Sequence, residues 1–269
     1  MRPLQLANKW ILVTGASSGL GREMARLLAK QFKANLILTA RRRDKLEELK
    51  EELLATGVEI RVLVADLAKE EDIARIVEES TGSRELYGAI LNAGVTYFGR
   101  HADLPWDKFM TILQTNVLSV VSLTNHLVNY FEANGKEGAI MIVSSMAALF
   151  PVPYQAAYSG TKGFILNFIS ALSHELKNPG LSLTVYAPAG IATEMTGDER
   201  FENLKGWLMP AEQAAREGIY AFRHRKYTYV PGFFNRAGAI FMRFLPSRFI
   251  AAKMGRVYRA ALLKSEQKS

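Results

Sequence analysis

Short apolar runs rich in β-branched residues alternate with amphipathic stretches along most of the chain, and this alternation leaves few folds open. Residues 10–14, 35–39, 60–65, 88–91, 139–143, 182–186 and 227–230 have the length and composition of strands. Between them, residues 20–31, 44–56, 69–79, 108–131, 158–177 and 210–222 carry apolar side chains at helical spacing. Near-continuous apolar strands separated by helices predict an α/β protein with one doubly wound parallel sheet and helices on both faces. Right-handed crossovers then bring the carboxyl ends of the strands to one edge, where ligands bind in such sheets. Of the 269 residues 49% are hydrophobic and 22% charged, enough apolar material for a single domain of this kind. Residues 1–232 are expected to form it, with residues 233–269 as a basic helical C-terminal extension of the same domain.

Several chemistries drop out at once. Cysteine is absent, which removes disulfides, thiolate metal sites and thiol nucleophiles and fits a reducing compartment such as the cytoplasm. His101, His126, His174 and His224 show no ligand spacing, and no metal is expected. The apolar start at residues 10–13 is too short for a secretory signal and runs into glycines. The longest uncharged stretch, residues 138–161, is broken by Ser144, Ser145, Pro151, Pro153 and Gln155. It reads as a strand and a loop rather than a membrane span.

The first strand runs into Thr14-Gly15-Ala16-Ser17-Ser18-Gly19-Leu20-Gly21 and then a helix. Glycines at such a turn allow a tight bend, close backbone approach to a pyrophosphate, and close packing of helix on strand. Free N–H groups at the helix amino terminus complement the phosphates. Three residues separate the first two glycines, a departure from G-x-G-x-x-G spacing. Together with Asn92-Ala93-Gly94 after the fourth strand and Tyr158-x-x-x-Lys162, this segment resembles the short-chain dehydrogenase/reductase family. Asp66, Asn116, Ser145, Pro188 and Thr193 match it further, in order, over about the first 200 residues.

The resemblance implies a Rossmann-type fold and an oxidoreductase that moves a hydride between a nicotinamide dinucleotide and a carbonyl or secondary alcohol. It places Gly15, Ser17, Ser18, Gly19, Leu20, Gly21, Asn92, Ala93 and Gly94 in the dinucleotide site, with Asp66 and Leu67 bordering the adenine. Pro188, Gly190, Ile191 and Thr193 look like the segment packed on the nicotinamide, Thr193 bonding its carboxamide. Ala189 stands where the family usually has glycine, and a positive φ there would be strained.

Tyr158 and Lys162 are four apart on a predicted helix, one turn apart on one side, and Ser145 emerges from a buried strand at the ligand edge. Reducing a ketone leaves an alkoxide that needs a proton. Tyrosine has a free pKa of ~10, and bringing it to ~7–8 takes roughly 3–4 kcal/mol. An ammonium ~5 Å away supplies about 3 kcal/mol at an effective dielectric near 20, far more than in bulk water. Lys162 is therefore expected to lower Tyr158 if the site is partly dry. By resemblance, Ser145 would bond the substrate oxygen, Lys162 would also hold the nicotinamide ribose, and Asn116 would hold a water linking Lys162 to solvent. Ser144 competes with Ser145. Alternation along the strand does not choose between them, whereas family spacing to the tyrosine favours Ser145.

The second strand ends Leu38-Thr39-Ala40-Arg41-Arg42-Arg43. An acid at this point would bind the adenosine ribose of NAD, whereas arginine pairs with a 2′-phosphate. Arginines opening a helix also run against its macrodipole. Arg41 and Arg42 are thus read as NADP(H) contacts, in preference to NAD(H), and Asp44 would overturn this by turning inward.

Met195, Phe201, Leu204, Trp207, Leu208 and Met209 suggest a cover over an apolar substrate, a lipophilic ketone, aldehyde, ketoacyl or steroid-like compound, or else packing onto the sheet. From residue 233 onward, Arg236, Arg243, Arg248, Lys253, Arg256, Arg259, Lys264 and Lys268 face one acid, Glu266, so this tail carries +7 of the formal +8. Ile250, Met254, Val257, Tyr258 and Ala261 recur there at helical spacing, and Pro246 separates them from Phe241, Phe244 and Leu245. A basic amphipathic helix of this kind suits peripheral contact with an anionic membrane, a subunit contact or a solvated face. No base-reading module accompanies the charge, so nucleic acid is not the expected partner. The resemblance suggests a homodimer or homotetramer through the long helices. A dinucleotide-binding interaction protein, docking through its tail, is the alternative; the intact Ser145, Tyr158 and Lys162 argue against it.

Overall fold

The computed structural model describes residues 2–82, 85–194 and 208–266, with side chains as far as Leu263. The elements run β1 (Trp10–Thr14), α1 (Gly19–Phe32), β2 (Asn35–Ala40), α2 (Arg43–Leu54), β3 (Ile60–Val64), α3 (Glu70–Thr81) and β4 (Leu86–Leu91). Then follow α4 (Trp106–Leu113), α5 (Ser119–Ala133), β5 (Gly138–Val143), α6 (Ala156–Leu172), β6 (Leu181–Tyr186), β7 (Ile191–Ala192) and β8 (Met209–Pro210). The described chain ends with α7 (Ala211–Arg223), β9 (Thr228–Tyr229), α8 (Phe233–Met242) and α9 (Ser247–Glu266). Seven strands form one parallel sheet in the order β3-β2-β1-β4-β5-β6-β9. Strand order reverses between β1 and β4, which opens a crevice at their carboxyl ends.

The central strands β4, β5 and β6 are buried along their whole length because successive side chains enter different cores. Ile11 and Val13 of β1, with Met141 and Val143 of β5, pack beneath Met24 and Leu28 of α1, Leu49 of α2 and Phe222 of α7. Leu12, Ile140 and Ile142 point the other way, onto Ile76 of α3, Leu123 and Leu127 of α5, and Ile165 of α6. Gly218 lets α7 approach α1: an added Cβ would stand 2.3 Å from Met24 Cε.

Helix bounds differ from the sequence reading in instructive ways. The single helix expected over residues 108–131 is α4 and α5 joined by a π turn, Gln114–Leu118. An i→i+5 turn accommodates an extra residue, and here it coincides with the buried Asn116, whose amide bonds the loop after β4. The helix expected to end at Lys177 stops at Leu172 and passes into tighter turns through Glu175. In the tail, Pro246 separates α8 from α9, as the sequence suggests.

Candidate active site

The carboxyl ends of β1 through β6 open onto one cavity of about 980 Å³. At its first end lies the glycine turn. Gly15 (φ 67°) and Gly19 (φ 52°) are left-handed, where L side chains are strained. A Cβ on Gly15 would stand 2.9 Å from Ala93 Cα, and one on Gly19 3.0 Å from Thr193 Cβ. Gly21 lies off the cavity; its Cβ would meet the Gly15 carbonyl at 2.4 Å, so it sets the packing of α1 on the turn. Asn92 braces the turn from β4, donating through Nδ2 to the Thr14 carbonyl at 3.0 Å. Thr14 Oγ1 accepts from the Asn92 and Ala93 amides, each at 3.0 Å. Ser18 makes no side-chain cap, and no acid sits in the first turn of α1, so the helix terminus keeps its positive character. The buried Thr39 hydroxyl, also on the cavity, has no hydrogen-bond partner. These features fit the phosphates and adenosine of a dinucleotide.

Arg41 and Arg42 are exposed on the cavity wall at the end of β2. Arg42 donates to Ser17 Oγ at 3.2 Å and pairs with Glu194 at 2.9 Å, holding the Glu194 carboxyl below the ordinary glutamate range. Asp44 lies exposed in the first turn of α2, off the cavity. Asp66 lines the cavity with Leu67, and its Oδ1 accepts from the Ala68 amide at 3.1 Å.

At the other end, β5 delivers two serines with different surroundings. The buried Ser144 hydroxyl donates to the Lys162 carbonyl at 3.0 Å and ties β5 to α6. Ser145 accepts from the Ala147 amide at 3.1 Å, and its hydroxyl lies on the cavity near the Tyr158 phenol. Tertiary packing thus separates two serines that strand alternation left equivalent. Lys162 is buried; its ammonium donates to the Val143 carbonyl at 2.9 Å and lies 5.7 Å from the Tyr158 ring centre. Burial lowers Lys162 to about 8. The same burial raises Tyr158, partly offset by the Ser145 hydroxyl. The expected lowering of Tyr158 by Lys162 is therefore not what this geometry gives: desolvation leads, and the ammonium is directed at Val143.

Asn116 is fully buried and does not line the cavity. Its Oδ1 accepts from the Val95 amide at 2.9 Å, and its Nδ2 donates to the Val95 carbonyl at 2.8 Å and Thr161 Oγ1 at 3.2 Å. It still borders Lys162, since a Cβ on Gly94 would stand 3.3 Å from Asn116 Oδ1 and 3.4 Å from Lys162 Nζ. Pro188, Gly190, Ile191 and Thr193 form the wall after β6. Ala189 is not among the left-handed residues, so the strain foreseen for it does not arise.

The sequence reading missed the far wall of the cavity. Phe234, Gly238 and Met242 of α8 with Met254, Val257 and Tyr258 of α9 line it, and Tyr258 packs edge-on against Phe98 at 5.3 Å. The α9 stripe was visible as a periodicity, yet nothing in linear spacing told where it would pack. Leu208 also lines the cavity, and Met209 pairs with Ile191. Met195, Phe201, Leu204, Trp207 and Lys268 lie outside the described residues, as do the side chains of Lys264 and Glu266.

A family model described as short chain dehydrogenase matches residues 9–203. Glucose 1-dehydrogenase of Gluconobacter oxydans is 31% identical over 191 residues, 70% of this chain and 71% of that protein. "Inactive hydroxysteroid dehydrogenase-like protein 1" of Pongo abelii is 31% identical over 206 residues, 76% of this chain but 62% of the relative's length. In fold, the chain is similar to a short-chain dehydrogenase from Sphingobium yanoikuyae solved with NADPH. The TM-score is 0.78 at 24% identity, over 88% of this chain and 96% of that one. A Burkholderia phymatum relative solved with NAD gives 0.81 at 18% identity, over 89% and 94%.

Proposed function

The chain belongs to the short-chain dehydrogenase family, and from that premise we propose that it is an NADP(H)-dependent oxidoreductase interconverting a lipophilic carbonyl compound and its alcohol. The observation that carries this reading is the meeting of Ser145, Tyr158 and Lys162 in the same cavity as the glycine turn. A nicotinamide dinucleotide held along Gly15–Gly19 and Lys162 would supply the hydride.

The chain's own residues supply position and proton. Ser145 orients the substrate oxygen and stabilises charge developing on it. Tyr158, on the cavity beside Ser145, donates its proton to that oxygen in the reductive direction. Lys162, lowered by burial to about 8, is placed to hold the ribose and to exchange a proton with the pair. Asn116 acts as a positioning residue, tying Val95 to Thr161, the chain neighbour of Lys162. NADP(H) is preferred because Arg41 and Arg42 face the adenosine end while Asp44 does not. The apolar wall from α8 and α9 favours an apolar substrate body. Exposed Trp106, Leu118 and Phe164 on the α4–α6 side support a homo-oligomer through the long helices.

The test is NADPH oxidation against carbonyl compounds graded by bulk, with Tyr158→Phe as the comparison. The variant should bind NADPH normally and lose at least about 100-fold in turnover. Normal turnover by Tyr158→Phe would sink the mechanism. A wild type that binds NADPH but is inert on every carbonyl would favour a binding role instead, as the name of the inactive relative invites. A tenfold preference for NADH would sink only the cofactor choice.

A further inference from the structure

The apolar stripe that the sequence offers for a membrane is already used: Ile250 and Ala261 are buried, and Met254, Val257 and Tyr258 face the cavity. A different face is left uncovered. Phe233, Phe234, Ile240 and Phe241 of α8, and Phe244 in the turn after it, are all exposed, Phe234 at 87% and Phe244 at 81%. At about 100° per residue these side chains fall within one arc of about 120°, turned away from Asn235 and Met242, which line the cavity. Phe249 continues the exposed apolar surface onto α9. Large aromatics gathered in this way are costly in water and mark a contact surface.

Charge decides what covers them. Residues 233–263 hold six basic residues and no acid. Arg236 pairs with Glu217 at 3.6 Å, whereas Arg243, just past the end of α8, and Arg248, Lys253, Arg256 and Arg259 of α9 are exposed. A second copy of this face would set like charges against one another across a two-fold axis. An anionic bilayer neutralises them and takes up the phenylalanines at headgroup depth.

We propose that the outer face of α8 and the first turns of α9 rest on an anionic lipid surface. Phe234 belongs both to this face and to the cavity wall, so docking brings the cavity mouth to the lipid. Delivery of an apolar substrate by this route rests on the function proposed above; the docking itself does not.

The full chain is sedimented with vesicles of phosphatidylcholine alone or with added phosphatidylserine. It should partition onto the phosphatidylserine vesicles and be released by salt. Arg243→Glu with Arg248→Glu, and separately Phe241→Ser with Phe244→Ser, should each cut partition at least about tenfold. Both pairs should leave NADPH binding and turnover of a water-soluble carbonyl at wild-type values. Absence of partition, or partition indifferent to both pairs, overturns the proposal. So does a wild-type dimer that Phe241→Ser with Phe244→Ser dissolves without vesicle binding, which assigns the face to a second copy. Vesicle binding by a chain that turns over no carbonyl keeps the docking and removes the enzymatic reading.

Discussion

Burial holds Lys162 at about 8 against an ordinary 10.5, because the ammonium loses its water and donates to the Val143 carbonyl in its place. Between those values the unfolded chain binds more protons than the folded one, so stability rises with pH over that window. Below it the full penalty of the buried charge is present. Cofactor-free wild type compared with Lys162→Met in urea should therefore gain up to about 3 kcal/mol relative to the variant from pH 8 to 10.5. Parallel stability curves would show that the ammonium is not desolvated. Both Lys162 and Tyr158 were legible in the sequence as a pair on one helix face. The direction of the Tyr158 shift was not, since it depends on how much water the folded walls exclude. Ser144 and Ser145 teach the same lesson: neighbours on one strand end, one bonds the backbone of α6 and the other opens onto the cavity beside the phenol.

At the scale of elements, the π turn at Gln114–Leu118 shows what periodicity cannot foresee. The apolar spacing of residues 108–131 predicts an unbroken helix, and locally it is satisfied. The interruption coincides with Asn116, which clamps Val95, 21 residues away in sequence. Removing that clamp in Asn116→Ala leaves the Val95 amide and carbonyl without their partner. Stability should fall by about 2 kcal/mol and the melting temperature by roughly 4–8 °C, measured by thermal unfolding. An unchanged melting temperature would mean that water replaces the amide at no cost. The strands were read more closely than the helices. Buried parallel strands are bounded by abrupt changes from apolar to polar residues, whereas helix ends depend on which caps and turns the surroundings supply.

For the whole molecule, the C-terminal helices complete the cavity that the sheet begins. Tyr258 stands against Phe98 and close enough to Tyr158 to raise it further. Tyr258→Ala should raise KM for a bulky apolar carbonyl about tenfold through lost apolar contact. KM for a small carbonyl and the Kd of NADPH should change little, as read by steady-state kinetics and fluorescence titration; an equal shift for both carbonyls would place Tyr258 outside the substrate wall. The sequence by itself determined the parallel sheet, the edge where ligands gather and the residue types available there, because strand burial and turn chemistry are properties of neighbours along the chain. Only the tertiary structure decided that Ser144 is tied to the backbone of α6, where the α9 stripe is buried, and which apolar face of the tail stays open. Those outcomes depend on contacts between segments far apart in sequence, and no local period encodes the partner.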